Sequence, residues 1–105
     1  MGEFVMAYIT AGSDAEAETI AAALVEEKLA ACVNVLGQVA SIYRWRGEIE
    51  QAREIVLLAK TRTALFDRLR DKVKSLHSYD TPCIVAYPIL DGYAPYLDWI
   101  RAETA

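Results

Sequence analysis

Two side chains in this sequence have the donor chemistry of a metal site. His77, the one histidine, precedes Cys83 by six residues across the turn-rich segment His77-Ser78-Tyr79-Asp80-Thr81-Pro82, which can bring the two side chains together. Imidazole suits copper and zinc, and a thiolate is a softer donor that favours Cu(I) or Zn(II). His77 and Cys83 are therefore the candidate metal ligands, and copper is the candidate ion. Two ligands do not close a site. The plainer readings are a histidine that satisfies carbonyls at a helix C-terminus and a cysteine that acts as a small buried hydrophobe. A second constellation is Tyr43, Trp45, Lys60 and Tyr79, a cation and aromatic rings at strand ends and loops. It is a candidate cleft for a small anion or planar molecule, with interface packing as the competing reading. No nucleophile, base and orienting group stand in a recognisable set and no phosphate loop is present, so the sequence implies neither an enzyme nor an organic cofactor.

The elements that must position these groups fit one domain of 105 residues. Apolar residues make up 54%, with six Tyr and two Trp among them, which are types enriched at buried interfaces. The net charge of −4 lacks the basic face that nucleic-acid binding requires. The opening MGEFVMAYIT has no basic n-region and no apolar run reaches a membrane-spanning length, so neither a signal peptide nor a membrane span is expected, and the expected location is the cytoplasm. Cys32 and Cys83 are far apart and form no C-x-x-C pattern, which points to reduced thiols.

The chain is organised around a long β-hairpin with arms Cys32 to Trp45 and Glu48 to Thr61 joined at Arg46-Gly47, where glycine supplies the positive φ of a tight turn. Each arm would run about 45 Å, against a radius of gyration of about 13 Å for a compact domain of this size. The hairpin must therefore overhang. Its distal half carries Ile42, Tyr43, Trp45 and Ile49, which one chain alone cannot cover, so these residues call for another chain. Before it come a strand from Glu3 to Thr10 and a helix from a Ser13 cap to about Leu29, with Ser13 and Glu16 forming a capping box. After it come a helix from a Thr63 cap to about His77, a strand from Cys83 to Leu90, and a short C-terminal helix bearing Tyr96, Trp99 and Ile100. Gly37 marks a bulge in the first arm. The string βαββαβ plus a small helix predicts an α+β, ferredoxin-like sandwich with strand order 4-1-3-2 and an extended hairpin.

The blocks ACVN, SIYRWRGEI, LLAKT, HSYDTPCIVAYPI and YLDWI, in this order and across nearly the whole chain, resemble the CutA family of divalent-cation tolerance proteins. The resemblance implies a homotrimer with hairpins packed around the three-fold axis, copper binding in some members, and an architecture loosely similar to PII signalling proteins. Two further readings stand beside metal handling: a PII-like binding or regulatory module with its ligand in an intersubunit cleft, and a structural assembly protein. The family's metal pattern places a Cys at the end of the first strand and a His pair before the last. This chain has Ile9 and Leu76-His77 there, and Cys83 where the family commonly has an acidic residue.

Overall fold

Apolar residues at alternate positions of the first and third strands set the architecture. The structure, a computed structural model, describes residues 2–105. Its elements are β1 (Phe4–Ala11), α1 (Asp14–Glu26), β2 (Cys32–Trp45), β3 (Glu48–Arg62), a 3₁₀ turn (Thr63–Leu65), α2 (Phe66–Leu76), β4 (Ile84–Pro88) and α3 (Ala94–Glu103). All neighbouring strands are antiparallel and the order is β2-β3-β1-β4, as the ferredoxin-like reading predicts. Ala7, Ile9 and Ala11 of β1 share a face with Ile55, Leu57 and Ala59 of β3, and Ile20, Leu24, Leu69 and Val73 of α1 and α2 pack on it. At roughly 1.5–3 kcal/mol for each large aliphatic side chain buried, this one cluster supplies most of the hydrophobic stabilisation.

The opposite face of the sheet is only partly covered. Helix α3 closes its lower end, where Ile100 is buried against Phe4 and Ala31. Arg101 fastens the helix by donating to both carboxylate oxygens of Glu3 at 2.7 and 2.9 Å. Arg62 donates to the hydroxyl and the carbonyl of Thr104 at 2.9 and 2.6 Å. The upper end of this face carries Tyr8, Thr10 and Glu54, and no helix among the described residues lies over it.

The hairpin turn has φ of 50° at Arg46 and 85° at Gly47, so both central residues are left-handed, as a twist-matched two-residue turn requires. Arg44 supports it by donating to the Gly47 carbonyl at 3.0 Å. The pairing jumps from Val35↔Leu57 to Gln38↔Ile55, which places Leu36 and Gly37 opposite Val56 as the expected bulge. β1 stops pairing at Ala11↔Ile55, so the rest of β3 toward Glu48 pairs with β2 alone and projects beyond the domain. The molecule is accordingly elongated, 44 × 25 × 23 Å. On one face of the projection Ile42 and Ile49 are diagonal neighbours, 71% and 67% exposed; Tyr43 and Trp45 occupy the other face.

Three expected boundaries move for local reasons. Helix α1 ends at Glu26, short of Leu29, because Lys28 turns left-handed at φ 58°. Lys28 N–H then donates to Val25 and Leu29 N–H to Leu24, which is the Schellman closure. A lysine in this position carries a steric cost that glycine lacks. Lys28→Gly should therefore stabilise the fold by about 0.5–1 kcal/mol, read as a raised denaturant midpoint at unchanged slope. Thr63 does not cap α2: its hydroxyl donates to the Gly2 carbonyl at 2.6 Å, and a 3₁₀ turn precedes the helix. β4 is five residues long, so Cys83 lies just before it rather than within it.

Candidate functional site

His77 follows the last turn of α2, and its side chain is completely buried. Nε2 lies 2.7 Å from the Thr10 carbonyl, and Nδ1 lies 3.1 Å from the Tyr79 backbone N–H. A carbonyl only accepts, so Nε2 carries the proton and Nδ1 gives its lone pair to Tyr79. Neither nitrogen has a lone pair left for a metal. The ring ties the end of β1 to the 77–79 turn and leans on the Tyr79 ring at 4.7 Å between centroids. Glu16 completes this junction. Its carboxylate accepts from Gly12 N–H and Ser78 N–H, both at 3.2 Å, and sits 3.6 Å from His77 Nδ1. The capping box is thus closed by Ser13 on Glu16 N–H and by Glu16 on Gly12, one residue before the expected partner. Burial works to raise the Glu16 pKa, but the hydrogen bonds from Ser78 and Gly12, with His77 nearby, hold it below the ordinary value.

The 77–79 turn forms one wall of a cleft of about 610 Å³ on the upper, uncovered face of the sheet. Tyr8, Thr10 and Glu54 form its floor, and Tyr79, Asp80, Thr81 and Cys83 stand on one side. Ser41, Tyr43, Trp45 and Glu50 of the hairpin stand on the other. The structure therefore brings Tyr43, Trp45 and Tyr79 together, and Cys83 with them. Lys60 is not among the lining residues: its ammonium donates to Asn34 Oδ1 at 2.6 Å and lies over the Tyr96 ring at the α3 end of the sheet. Without that cation, and with Glu50, Glu54 and Asp80 in the lining, the cleft is acidic and aromatic. An anion is the wrong guest for it.

The ionisable groups agree. Burial and then the neighbouring Glu54 carboxylate push the Tyr79 phenol up to about 12. A phenol whose pKa is raised in the native state is favoured in its protonated form, so its contribution is intact below about pH 10 and is lost as pH rises toward 12. Spectrophotometric titration should show one tyrosine ionising late, and denaturant stability should fall through that window; Tyr79→Phe should remove this part of the fall. Burial, then Glu54, also raises the Cys83 thiol, which disfavours the thiolate a metal or an electrophile would need. Cys32 is far from this group: it faces Lys60 in the β2–β3 register, at the opposite end of the sheet from Cys83.

These donors do not fit a copper ion within one chain. Among the described residues no three His, Cys, Asp or Glu side chains are grouped closely enough to hold a metal. Ile9 is fully buried in the helix-covered core, pairing with Leu57 and Ile84, and Leu76 packs against the same core. The family model described as CutA1 divalent ion tolerance protein matches residues 5–103. The chain belongs to this family. It is 53% identical over 96 residues to the divalent-cation tolerance protein CutA of Thermus thermophilus, covering 91% of this chain and 93% of that one. A CutA structure from Thermus thermophilus superposes with a TM-score of 0.95 at 50% identity, covering 97% of this chain and 99% of that one. The CutA structure of Archaeoglobus fulgidus, described as periplasmic, gives 0.94 at 48% identity with the same coverage. In this CutA-family chain, the positions that the metal pattern assigns to the first strand and to the residue before His77 serve the core.

Sequence reasoning missed the carboxylates of the site. Glu48, Glu50 and Glu54 alternate along β3 opposite Trp45, Tyr43 and Val39, so one face of the hairpin carries aromatics on one arm and acids on the other. That period-two signal was available. Glu16 was readable only as a cap, since nothing local announces its second role against Ser78.

Proposed function

We propose that this chain is a homotrimeric divalent-cation tolerance protein that works by binding and assembly rather than catalysis. One observation carries the assembly: a hairpin that leaves its own domain with Ile42 and Ile49 about two-thirds exposed. Isolated hairpins are marginal in water, so the projecting half needs partners. The names of its relatives carry the cation-tolerance part. Copper is the ion that the resemblance implies; since the donors of one chain do not fit it, no step is assigned to it. The partner is another copy of the chain, and the acidic net charge disfavours nucleic acid. No helix among the described residues is long and apolar enough to cross a membrane. The two free thiols support the cytoplasm as the location.

Complementation tests this reading. In a bacterium deleted for its own family member, wild-type protein should restore growth under divalent-cation stress, and Ile42→Asp/Ile49→Asp should not. Equal growth with and without the wild-type protein would contradict it.

A second reading, a PII-like module with a ligand in the cleft, is favoured by the size and lining of that cleft.

A further inference from the structure

We propose that Asp91-Gly92 is a modification site: the Asp91 side chain closes on the Gly92 backbone nitrogen to a cyclic imide that reopens as isoaspartate, the substrate of a carboxyl methyltransferase that repairs isoaspartyl bonds.

Of the six aspartates only Asp91 precedes a glycine, and the two residues already stand in contact. Gly92 N–H donates to the Asp91 carboxylate, with the nitrogen 2.8 Å from Oδ1. A carbon–oxygen bond adds about 1.2 Å, so Asp91 Cγ lies within about 4 Å of the nitrogen that must attack it, near the roughly 3–3.5 Å of a reacting pair. Among the described residues no backbone carbonyl accepts from Gly92. Residues 89–93 belong to no helix or strand, and Asp91 and Gly92 are both exposed, so the main chain is free to make the rotation that closes the ring. Glycine at 92 leaves its nitrogen unshielded by a Cβ. Ile89 N–H donates to the Phe4 carbonyl at 3.0 Å, which holds the segment at the end of the sheet away from the projecting hairpin. Contacts made through the hairpin lie elsewhere.

The step needs no oxidant and no bound group. Gly92 nitrogen forms a bond to Asp91 Cγ and loses its proton, the Cγ–hydroxyl bond breaks, and one water leaves. Water then adds to either carbonyl of the imide. Addition at Cγ restores aspartate; addition at the main-chain carbon leaves a backbone that runs through Cγ, one methylene longer, with a free α-carboxylate. A methyltransferase that uses S-adenosylmethionine moves a methyl group from the sulfonium to an oxygen of that carboxylate. Reclosure by Gly92 nitrogen then expels methanol and returns the imide. The extra methylene falls just before α3, where the Tyr93 carbonyl accepts from Tyr96 and Leu97 N–H at 2.9 and 3.1 Å and Leu97 packs on the cluster of Phe4 and Ile100.

The test ages the assembled protein for weeks at physiological temperature and neutral pH in heavy-oxygen water, then maps the peptide that carries Asp91. Expected are a form lacking one water, heavy oxygen incorporated at residue 91, an isoaspartyl linkage in the fragmentation spectra, and methanol released on treatment with an isoaspartyl methyltransferase and S-adenosylmethionine. Isoaspartate at 91 should exceed that at each of the other aspartates roughly tenfold or more. Gly92→Ala should slow its formation roughly tenfold, because a Cβ there would stand 3.3 Å from the Leu97 side chain and removes the freedom of glycine. Asp91→Asn, with ammonia as the leaving group, should reach the same imide roughly tenfold faster. Asp91→Glu, at this exposed position, should give no imide in the same period. Isoaspartate at 91 no higher than at the other aspartates, an unchanged rate in Gly92→Ala, or a modification that appears only once the protein is unfolded overturns the assignment.

Discussion

Ile42→Asp combined with Ile49→Asp should break the assembly while leaving the helix-packed half of each chain intact. Both side chains lie on the projecting part of the hairpin, where no helix of their own chain reaches them. Burying an isoleucine is worth roughly 1.5–3 kcal/mol, so losing two at an interface raises its dissociation constant by about two to four orders of magnitude, before the cost of burying the new carboxylates. Analytical ultracentrifugation should show the shift. The loss of partners should also release the hairpin tip, seen as fast amide exchange over 38–54 with protection retained in β1. Trp45→Asp should act in the same direction, since it charges the opposite face of the same projection.

His77→Ala should destabilise the fold by about 2–4 kcal/mol, yet leave copper affinity unchanged. The substitution removes a fully buried ring that accepts from Tyr79 N–H and donates to the Thr10 carbonyl, and it strands both backbone groups. Loss of a buried, doubly bonded polar group and creation of a cavity each fall among the large-effect mechanisms. Chemical denaturation measures the first half of this expectation and calorimetric copper titration the second. A tenfold drop in copper affinity at unchanged stability would mean that the ring turns out of its bonds to serve a metal.

The fold was legible where hydrophobic period and punctuation agree. The continuous apolar run of β1, the Arg46-Gly47 turn and the Gly37 bulge each rest on local rules that the packed structure satisfies. Errors arose where a tertiary partner overrode a local preference. Thr63 had the chemistry of a cap, but the Gly2 carbonyl, just before the neighbouring strand β1, claims its hydroxyl. Lys28 continued a helical spacing, and the Schellman closure that sends the chain toward β2 forces it left-handed instead.

The site was only half legible for the same reason. Lys60 has the parity of the cleft face, but it lies six residues from Glu54 along β3, roughly 20 Å, where Asn34 and the α3 residue Tyr96 receive it. Nothing in the sequence reveals where α3 docks. His77 and Cys83 are near one another in sequence, yet one is sealed beneath the 77–79 turn and the other faces the cleft. Register distance and burial, neither visible from residue type, separated them.

The overhanging hairpin as an obligate contact with other copies is the central claim, and sedimentation equilibrium of the wild-type protein over a dilution series reaches it most directly. The predicted result is a mass of three chains that persists through micromolar concentration, with far-UV circular dichroism unchanged. A folded species with the mass of one chain at micromolar concentration would contradict it.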